Sequence, residues 1–274
     1  MSNNSYTHQA VNSSEDNRNN TFGHIRESAP SCAFVTAAGL GTRLRPYTLD
    51  TPKPLVAVKG RPILDYILDD LEKAQVKTVV INTHYKAEKI EDFFATQSRP
   101  DMEFILIHEE ELLDTGGGIR QGLPYFKGAP FYAVSSDSLW TNSHTDALTR
   151  MAQSWDSKKM DLLLLLQPTN NMHSEDTVGD YDFTTAPPLS PIIRSKSGKG
   201  SHMWTSVRIC TPSLFDNTPA AQPFSFLQMM DKAEAAGRLY GIEHDAQWFH
   251  ISTKGDLENL NKDNGETKLF CQMT

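Results

Sequence analysis

The sequence is poor in cysteine. Cys32, Cys210 and Cys271 are scattered over 274 residues. None has CxxC or metal-ligand spacing, so neither a disulfide framework nor a zinc centre is expected, and the pattern suits a reducing, cytoplasmic compartment. Long apolar runs are missing too. The best, Leu162 to Leu166, is far too short to cross a bilayer. Positive charge is in deficit: a net charge of −8 disfavours broad affinity for nucleic acid, because an acidic surface repels a phosphate polymer. A small anion still binds where the local field favours it. No G-K-[ST] makes a Walker loop, and the third glycine of a dinucleotide fingerprint is missing. No hexapeptide repeat follows at the C-terminal end, which excludes a left-handed β-helix there. Residues 1–30 have neither an apolar core nor an Arg-rich pattern, so no secretory or import signal is expected. Rich in Asn and Ser, they read as a flexible polar tail.

What the chain does have is alternation of strand and helix patterns. A hydrophobic content of 38% suffices for one large α/β domain over residues 31–274. Cys32 to Thr36 reads as a buried strand. Pro62 to Gln75 carries Ile63, Leu64, Ile67, Leu68 and Leu71 at helical spacing, with acids facing out. Thr78 to Asn82 and Glu103 to Ile107 read as strands on either side of a helix from Lys86 to Thr96. Strand, helix, strand at this spacing predicts parallel βαβ units. Phe131 to Ser136, Asp161 to Gln167, Trp204 to Cys210, Leu239 to Glu243 and Trp248 to Ile251 are further strand candidates. Asp146 to Trp155, Leu227 to Ala236 and Leu257 to Asn264 are helix candidates. Residues Asn170 to Ser201 read as irregular, and Trp140 to Thr145 as a turn.

The first strand runs into Ala37-Ala38-Gly39-Leu40-Gly41-Thr42-Arg43-Leu44. Gly39 and Gly41 leave bare backbone against which a phosphate chain can lie. Arg43 and, beyond a proline-stiffened stretch, Lys53 add two positive charges, a set that suits a nucleoside triphosphate. Leu113-Asp114-Thr115-Gly116-Gly117-Gly118-Ile119 places three glycines where a helix is expected to begin, at about Ile119. On its own that triplet is either a hinge or a seat for a flat ligand. Asp137 ends a central strand, at the edge where open α/β sheets bind ligands. By position alone it is a ligand-binding carboxylate or a turn former. His84 and His108 read as structural or exposed.

The string from Gly39 to Leu44, with Pro46, Thr48 and Pro52-Lys53-Pro54-Leu55, resembles the signature of the sugar-1-phosphate nucleotidyltransferases, and the likeness covers roughly Ala33 to Asn264. It implies a Rossmann-like, mixed but mainly parallel sheet flanked by helices, with a nucleotide-binding half (31–168) and a sugar-binding half (169–274). It implies that Ala37, Ala38, Gly39, Gly41 and Thr42 hold the triphosphate and Arg43 clamps its far end. Lys53 would bridge the α-phosphate and the sugar phosphate, Asn82 and the Gly116-Gly117 backbone would read the base, and Asp137 would hold Mg²⁺. Gly179, Asp180 and Thr205 fall where the family contacts sugar, although a plain hairpin explains the first two equally well. The partners implied are a nucleoside triphosphate and a sugar 1-phosphate, with no nucleic acid and no membrane, in a monomer or homodimer.

One departure stands out. Where the family has a second metal-binding aspartate, in W-x-D-x-G-T, this chain has Trp248-Phe249-His250-Ile251-Ser252-Thr253. Imidazole is a poor ligand for Mg²⁺. His250 then ligates a softer ion such as Mn²⁺ or Co²⁺, or only hydrogen-bonds beside a metal held by Asp137, or marks reduced activity, or packs beside Trp248 with no ligand role. Within the family the chain looks most like the N-acetylmuramate-1-phosphate uridylyltransferases. Mannose-1-phosphate guanylyltransferases and phosphocholine cytidylyltransferases are rivals, and a nucleotide-binding sensor without turnover is the reading from another class.

Overall fold

The computed structural model describes residues 29–172 and 178–262. The tail expected over 1–30 therefore lies outside the described residues, except for Ala29 and Pro30, as does Cys271. The first half of the chain alternates as its pattern predicts. β1 (Cys32–Thr36) leads to a small ribbon, β2 (Ala57–Val58) with β3 (Arg61–Pro62), and then to α1 (Ile63–Lys73). β4 (Thr78–Thr83), α2 (Ala87–Ala95), β5 (Glu103–His108), α3 (Asp114–Gly122) and β6 (Phe131–Ser135) follow. Next come β7 (Ser138–Trp140), α4 (Ala147–Ser154), β8 (Leu162–Pro168), β9 (Tyr181–Phe183), β10 (Leu189–Arg194) and β11 (His202–Cys210). The chain closes with α5 (Leu227–Ala235), β12 (Leu239–Glu243), β13 (Trp248–His250) and α6 (Lys254–Lys262).

Nine strands form one sheet in the order β5-β4-β1-β6-β11-β8-β12-β10-β9. β5, β4, β1 and β6 run parallel, as do β8 and β12. β11 lies antiparallel between β6 and β8, and β10 antiparallel to β12 and β9. The sheet is thus mixed and mainly parallel, and no β-helix occurs among the described residues. Alternate side chains of each strand enter separate cores, as a pleat with both faces covered requires. Ala33 and Val35 join Leu64, Leu68, Leu148 and Leu257 beneath α1, α4 and α6, whereas Phe34 joins Ile119, Met230 and Ala233 beneath α3 and α5. Among the described residues no helix is long and apolar enough to cross a membrane.

Two expectations are corrected. The segment read as irregular at 170–201 contains the short strands β10 and, at the sheet edge, β9, and the unanticipated β7, which pairs with β13, runs just ahead of the turn expected from Trp140. They are only three to six residues long, so no periodicity marks them. α3 begins at Asp114 rather than near Ile119, and the glycine triplet lies inside it.

Candidate active site

The parallel strands end along one edge, and register decides what meets there. Thr36 at the end of β1 is opposite Asn82 of β4 on one side and Ser135 of β6 on the other. The following loop turns sharply at Gly41, whose φ is +62° and whose carbonyl accepts a hydrogen bond from Thr48 Oγ1 at 2.7 Å. A Cβ on Gly41 would lie 2.9 Å from Thr48 Cγ2, whereas one on Gly39 would meet nothing within 4 Å. Gly41 is thus demanded by the turn, and Gly39 opens onto free space. Fully buried Leu44 anchors the short turn Thr42–Leu44, which leaves Arg43 on the cavity wall with no hydrogen bond or ion pair to the described residues.

A cavity of about 490 Å³ lies over this edge. Its wall contains Ala37, Ala38, Gly39, Gly41, Thr42, Arg43, Lys53, Asn82 and Asp137, all expected from the sequence. Asp137 is its electrostatic centre. Lys53 Nζ donates to Asp137 Oδ2 at 2.9 Å, and His250 Nε2 lies 3.5 Å from the same oxygen. Burial pushes the Asp137 pKa up, but the His250 hydrogen bond and the Lys53 charge outweigh it and hold the carboxyl well below the ordinary carboxylate range. The group is an anion at any physiological pH. His250 reaches it because β13 pairs antiparallel with β7, setting His250 opposite Ser138, and because the Ile251 N–H donates to the Asp137 carbonyl at 2.8 Å.

Asn82 takes a different part from a freely presented base reader. Its Oδ1 accepts the Ala37 N–H at 2.8 Å, and its Nδ2 donates to Glu109 Oε1 at 2.7 Å. Glu109 was missed by the sequence reading. It is 2% exposed, lines the cavity, and accepts the Leu113 N–H on its other oxygen at 3.0 Å. A Cβ on Gly118 would lie 2.6 Å from Glu109 Oε1, so that glycine admits the carboxylate. The signal was available: Glu109 follows the end of β5 as Asp137 follows the end of β6, but it opens the run Glu109-Glu110-Glu111, which reads as a solvated acidic patch.

Gly116 and Gly117, expected at the base, are buried and off the cavity wall, which Asp114 and Thr115 line. Both glycine N–H groups donate to the Phe224 carbonyl, at 3.0 and 3.3 Å. A Cβ on Gly116 would strike the Phe224 ring, and one on Gly117 would lie 2.5 Å from the Gln222 carbonyl oxygen. The glycines seat the segment around Phe224, which caps the open end of α3. Gly179, Asp180 and Thr205 also lie off the cavity wall. Gly179 is bridged to Gly200, Asp180 accepts the Trp204 N–H at 3.3 Å, and buried Thr205 donates to the Leu165 carbonyl at 2.9 Å. Ser206 beside it holds φ +66°, at the irregularity where β11 leaves its register with β8.

The cavity therefore brings together a bare-backbone loop, two cationic side chains and a strand-end carboxylate. Residues 32–175 match the nucleotidyl transferase family. The chain belongs to that family. An N-acetylmuramate alpha-1-phosphate uridylyltransferase from Caulobacter vibrioides is 33% identical over 234 residues, 81% of this chain and 92% of the relative. A D-glycero-alpha-D-manno-heptose 1-phosphate guanylyltransferase from Aneurinibacillus thermoaerophilus is 28% identical over 84% of this chain and 97% of its own. Among solved structures, a UDP-glucose pyrophosphorylase from Acinetobacter baumannii superposes with a TM-score of 0.70 at 18% identity, covering 88% of this chain and 95% of that one, which is a likeness of fold. In this nucleotidyl transferase Asp137 and His250 are the neighbouring side chains whose chemistry would suit a divalent ion. No group of three or more His, Cys, Asp or Glu gathers among the described residues. Two protein ligands suit an ion that takes its remaining oxygens from substrate phosphate and water.

Proposed function

We propose that this sugar-1-phosphate nucleotidyltransferase joins UTP to N-acetylmuramate 1-phosphate, releasing pyrophosphate. The observation that carries the transfer chemistry is the convergence of Lys53 and His250 on Asp137 Oδ2, in the cavity that Arg43 and the loop 37–42 also line. In the reaction an oxygen of the sugar phosphate attacks the α-phosphorus. The α–β phosphoanhydride bond breaks, and pyrophosphate leaves with the electron pair. The nucleophile is already anionic, so the chain need not supply a strong base. Its work is to align two groups that repel each other and to stabilise charge growing on the α-phosphate. Loop amides and Arg43 take the triphosphate, and Lys53 stands where the two phosphates meet. Asp137 and His250 would hold Mg²⁺ or Mn²⁺, which when bound supplies further positive charge to the phosphate oxygens.

The relative at 33% identity supports uracil, and Glu109, through the lone pairs that its bonds to Asn82 and Leu113 leave, narrows the choice of base. A carboxylate only accepts hydrogen bonds. On the cavity wall it suits a base that presents an imino N–H, as uracil and guanine do and cytosine and adenine do not. The 28% relative keeps guanine as the second reading. The deciding experiment measures pyrophosphate release from each of the four triphosphates with N-acetylmuramate 1-phosphate, mannose 1-phosphate and phosphocholine, in Mg²⁺ and in Mn²⁺. Turnover with UTP and N-acetylmuramate 1-phosphate, abolished by Asp137→Ala, is expected. Release with GTP alone transfers the assignment to guanylyl transfer. UTP binding without release for any acceptor makes the protein a sensor.

A further inference from the structure

A second cavity, of about 640 Å³, opens at the opposite edge of the main sheet, where the parallel strands begin. Pro130 before β6, Asp161 before β8, Thr211 and Ser213 after β11, Arg238 before β12 and Arg120 of α3 contribute to its wall. Arg238 is fully engaged. Its Nε pairs with Asp161 at 2.9 Å, and its terminal nitrogens donate to the Lys158 and Ser157 carbonyls, each at 2.8 Å. Arg120 is not. Its Nε is buried without an acceptor, and its guanidinium has no hydrogen bond or ion pair among the described residues. Arg120 is partly exposed, so its terminal nitrogens keep their donors free for an anion that enters from solvent. Lys232 Nζ is fixed close by, donating to the Leu214 and Asp216 carbonyls at 2.8 and 3.3 Å. The Thr211 and Ser213 hydroxyls, bonded to each other at 2.9 Å, add a donor. Asp216 on the same wall adds a negative charge that offsets part of this field.

We propose that this cavity is a second anion-binding site, for a small carboxylate or phosphate ligand, and that it communicates with the nucleotide cavity through α3. The helix has nine residues and is about 13 Å long at 1.5 Å per residue. Asp114 and Thr115 at its start line the nucleotide cavity, and Arg120 near its end lines the second one. A ligand that draws on Arg120 therefore acts on the helix whose first turn faces the triphosphate. The coupling rests on the nucleotidyltransfer reading; the binding does not.

The test is calorimetric titration with inorganic phosphate and, separately, malonate, on the wild-type protein and on Lys53→Ala, Arg120→Gln and Arg120→Lys. Lys53→Ala removes one of the two cations of the first cavity, and Arg120→Gln then assigns whatever binding survives it. Survival in Lys53→Ala, a loss of at least tenfold in Arg120→Gln and partial retention in Arg120→Lys are expected, each variant keeping the wild-type melting curve. Malonate binding as tightly as phosphate identifies a carboxylate ligand, and phosphate alone a phosphorylated one. With turnover as readout, the anion should shift the KM for the triphosphate at least twofold in the wild type and not in Arg120→Gln, whose activity without anion stays unchanged. No heat in Lys53→Ala, or heat indifferent to Arg120→Gln, overturns the site. Binding without a KM shift overturns the coupling. A protein that releases no pyrophosphate at all sinks the transferase reading and leaves the titration legible.

Discussion

Gly39 and Gly41 stand two residues apart and answer a methyl group in opposite ways. Gly41 holds a left-handed φ and has Thr48 against it; Gly39 has open space. Gly41→Ala should destabilise the fold by about 1–2 kcal/mol, the usual cost of that conformation with a Cβ. Gly39→Ala should leave the melting temperature within error and raise the KM for the triphosphate about tenfold or more, because its Cβ enters the space meant for phosphate. Denaturant unfolding and steady-state kinetics on the pair separate the two effects; equal stability loss in both would show that Gly39 is also a packing residue. His250 invites a second substitution. His250→Asp sets two carboxylates beside Lys53, a harder donor set. The ratio of the Mg²⁺-supported to the Mn²⁺-supported rate should rise at least about threefold. An unchanged ratio would mean that His250 touches no metal. All three residues are visible in the sequence because their motifs are local. Glu109 is not, since its meaning comes from Asn82, twenty-seven positions away, and from the space that Gly118 leaves for it.

At the scale of elements, the long ones were legible and the short ones were not. α1 announces itself through five apolar residues at helical spacing, all of them buried. α3 hides its first turn because three glycines cost a helix about 1 kcal/mol each relative to alanine, and only the distant Phe224 segment explains why they are there. α1 also holds a charge in an unfavourable place. Burial raises the pKa of Asp70 to about 6, with Lys73 opposing and Asp146 adding to the rise. Its Oδ1 accepts from Asn142 Nδ2 at 3.1 Å, and Asn142 Oδ1 in turn accepts the Ala147 N–H that opens α4, at 2.9 Å. With a native pKa above the unfolded one, the folded state binds more protons between about pH 4 and pH 6, so this group's contribution to stability falls as pH rises through that window. Above it the full cost of the buried anion is present. Asp70→Asn keeps the carbonyl acceptor and removes the charge. It should leave stability nearly unchanged at pH 3.5 and raise it at pH 8 by on the order of 2 kcal/mol, read from urea unfolding. The same gain at both pH values would rule out titration as its source.

Over the whole molecule, the chain closes its own site last. All nine strands of the main sheet are complete by Glu243, yet His250 reaches Asp137, and Ser252 the cavity wall, only afterwards. The returning arm is tied down along its length. Tyr47 donates to Glu258 at 3.0 Å, the Lys59 N–H to Asn261 Oδ1 at 2.7 Å, and Ile251, Leu257 and Leu260 are buried against the core beneath α1. No local pattern in the sequence says that a three-residue strand near the end will pair with another three-residue strand beside Asp137, which is why β7 escaped a reading that found β13. The placement makes stability and activity separable. Leu257→Ala in the arm and Leu148→Ala in α4 each empty a buried leucine site, at about 2–5 kcal/mol apiece. Both should lower the melting temperature by a similar amount, roughly 5–15 °C for a chain of this size. At a temperature where both remain folded, Leu148→Ala should keep its kcat, because α4 contributes nothing to the cavity wall. Leu257→Ala should lose at least about threefold in kcat, because a loosened α6 releases His250 from Asp137. Equal kcat values in the two folded variants would mean that β7 alone holds β13 in place, and that the arm adds stability without shaping the site.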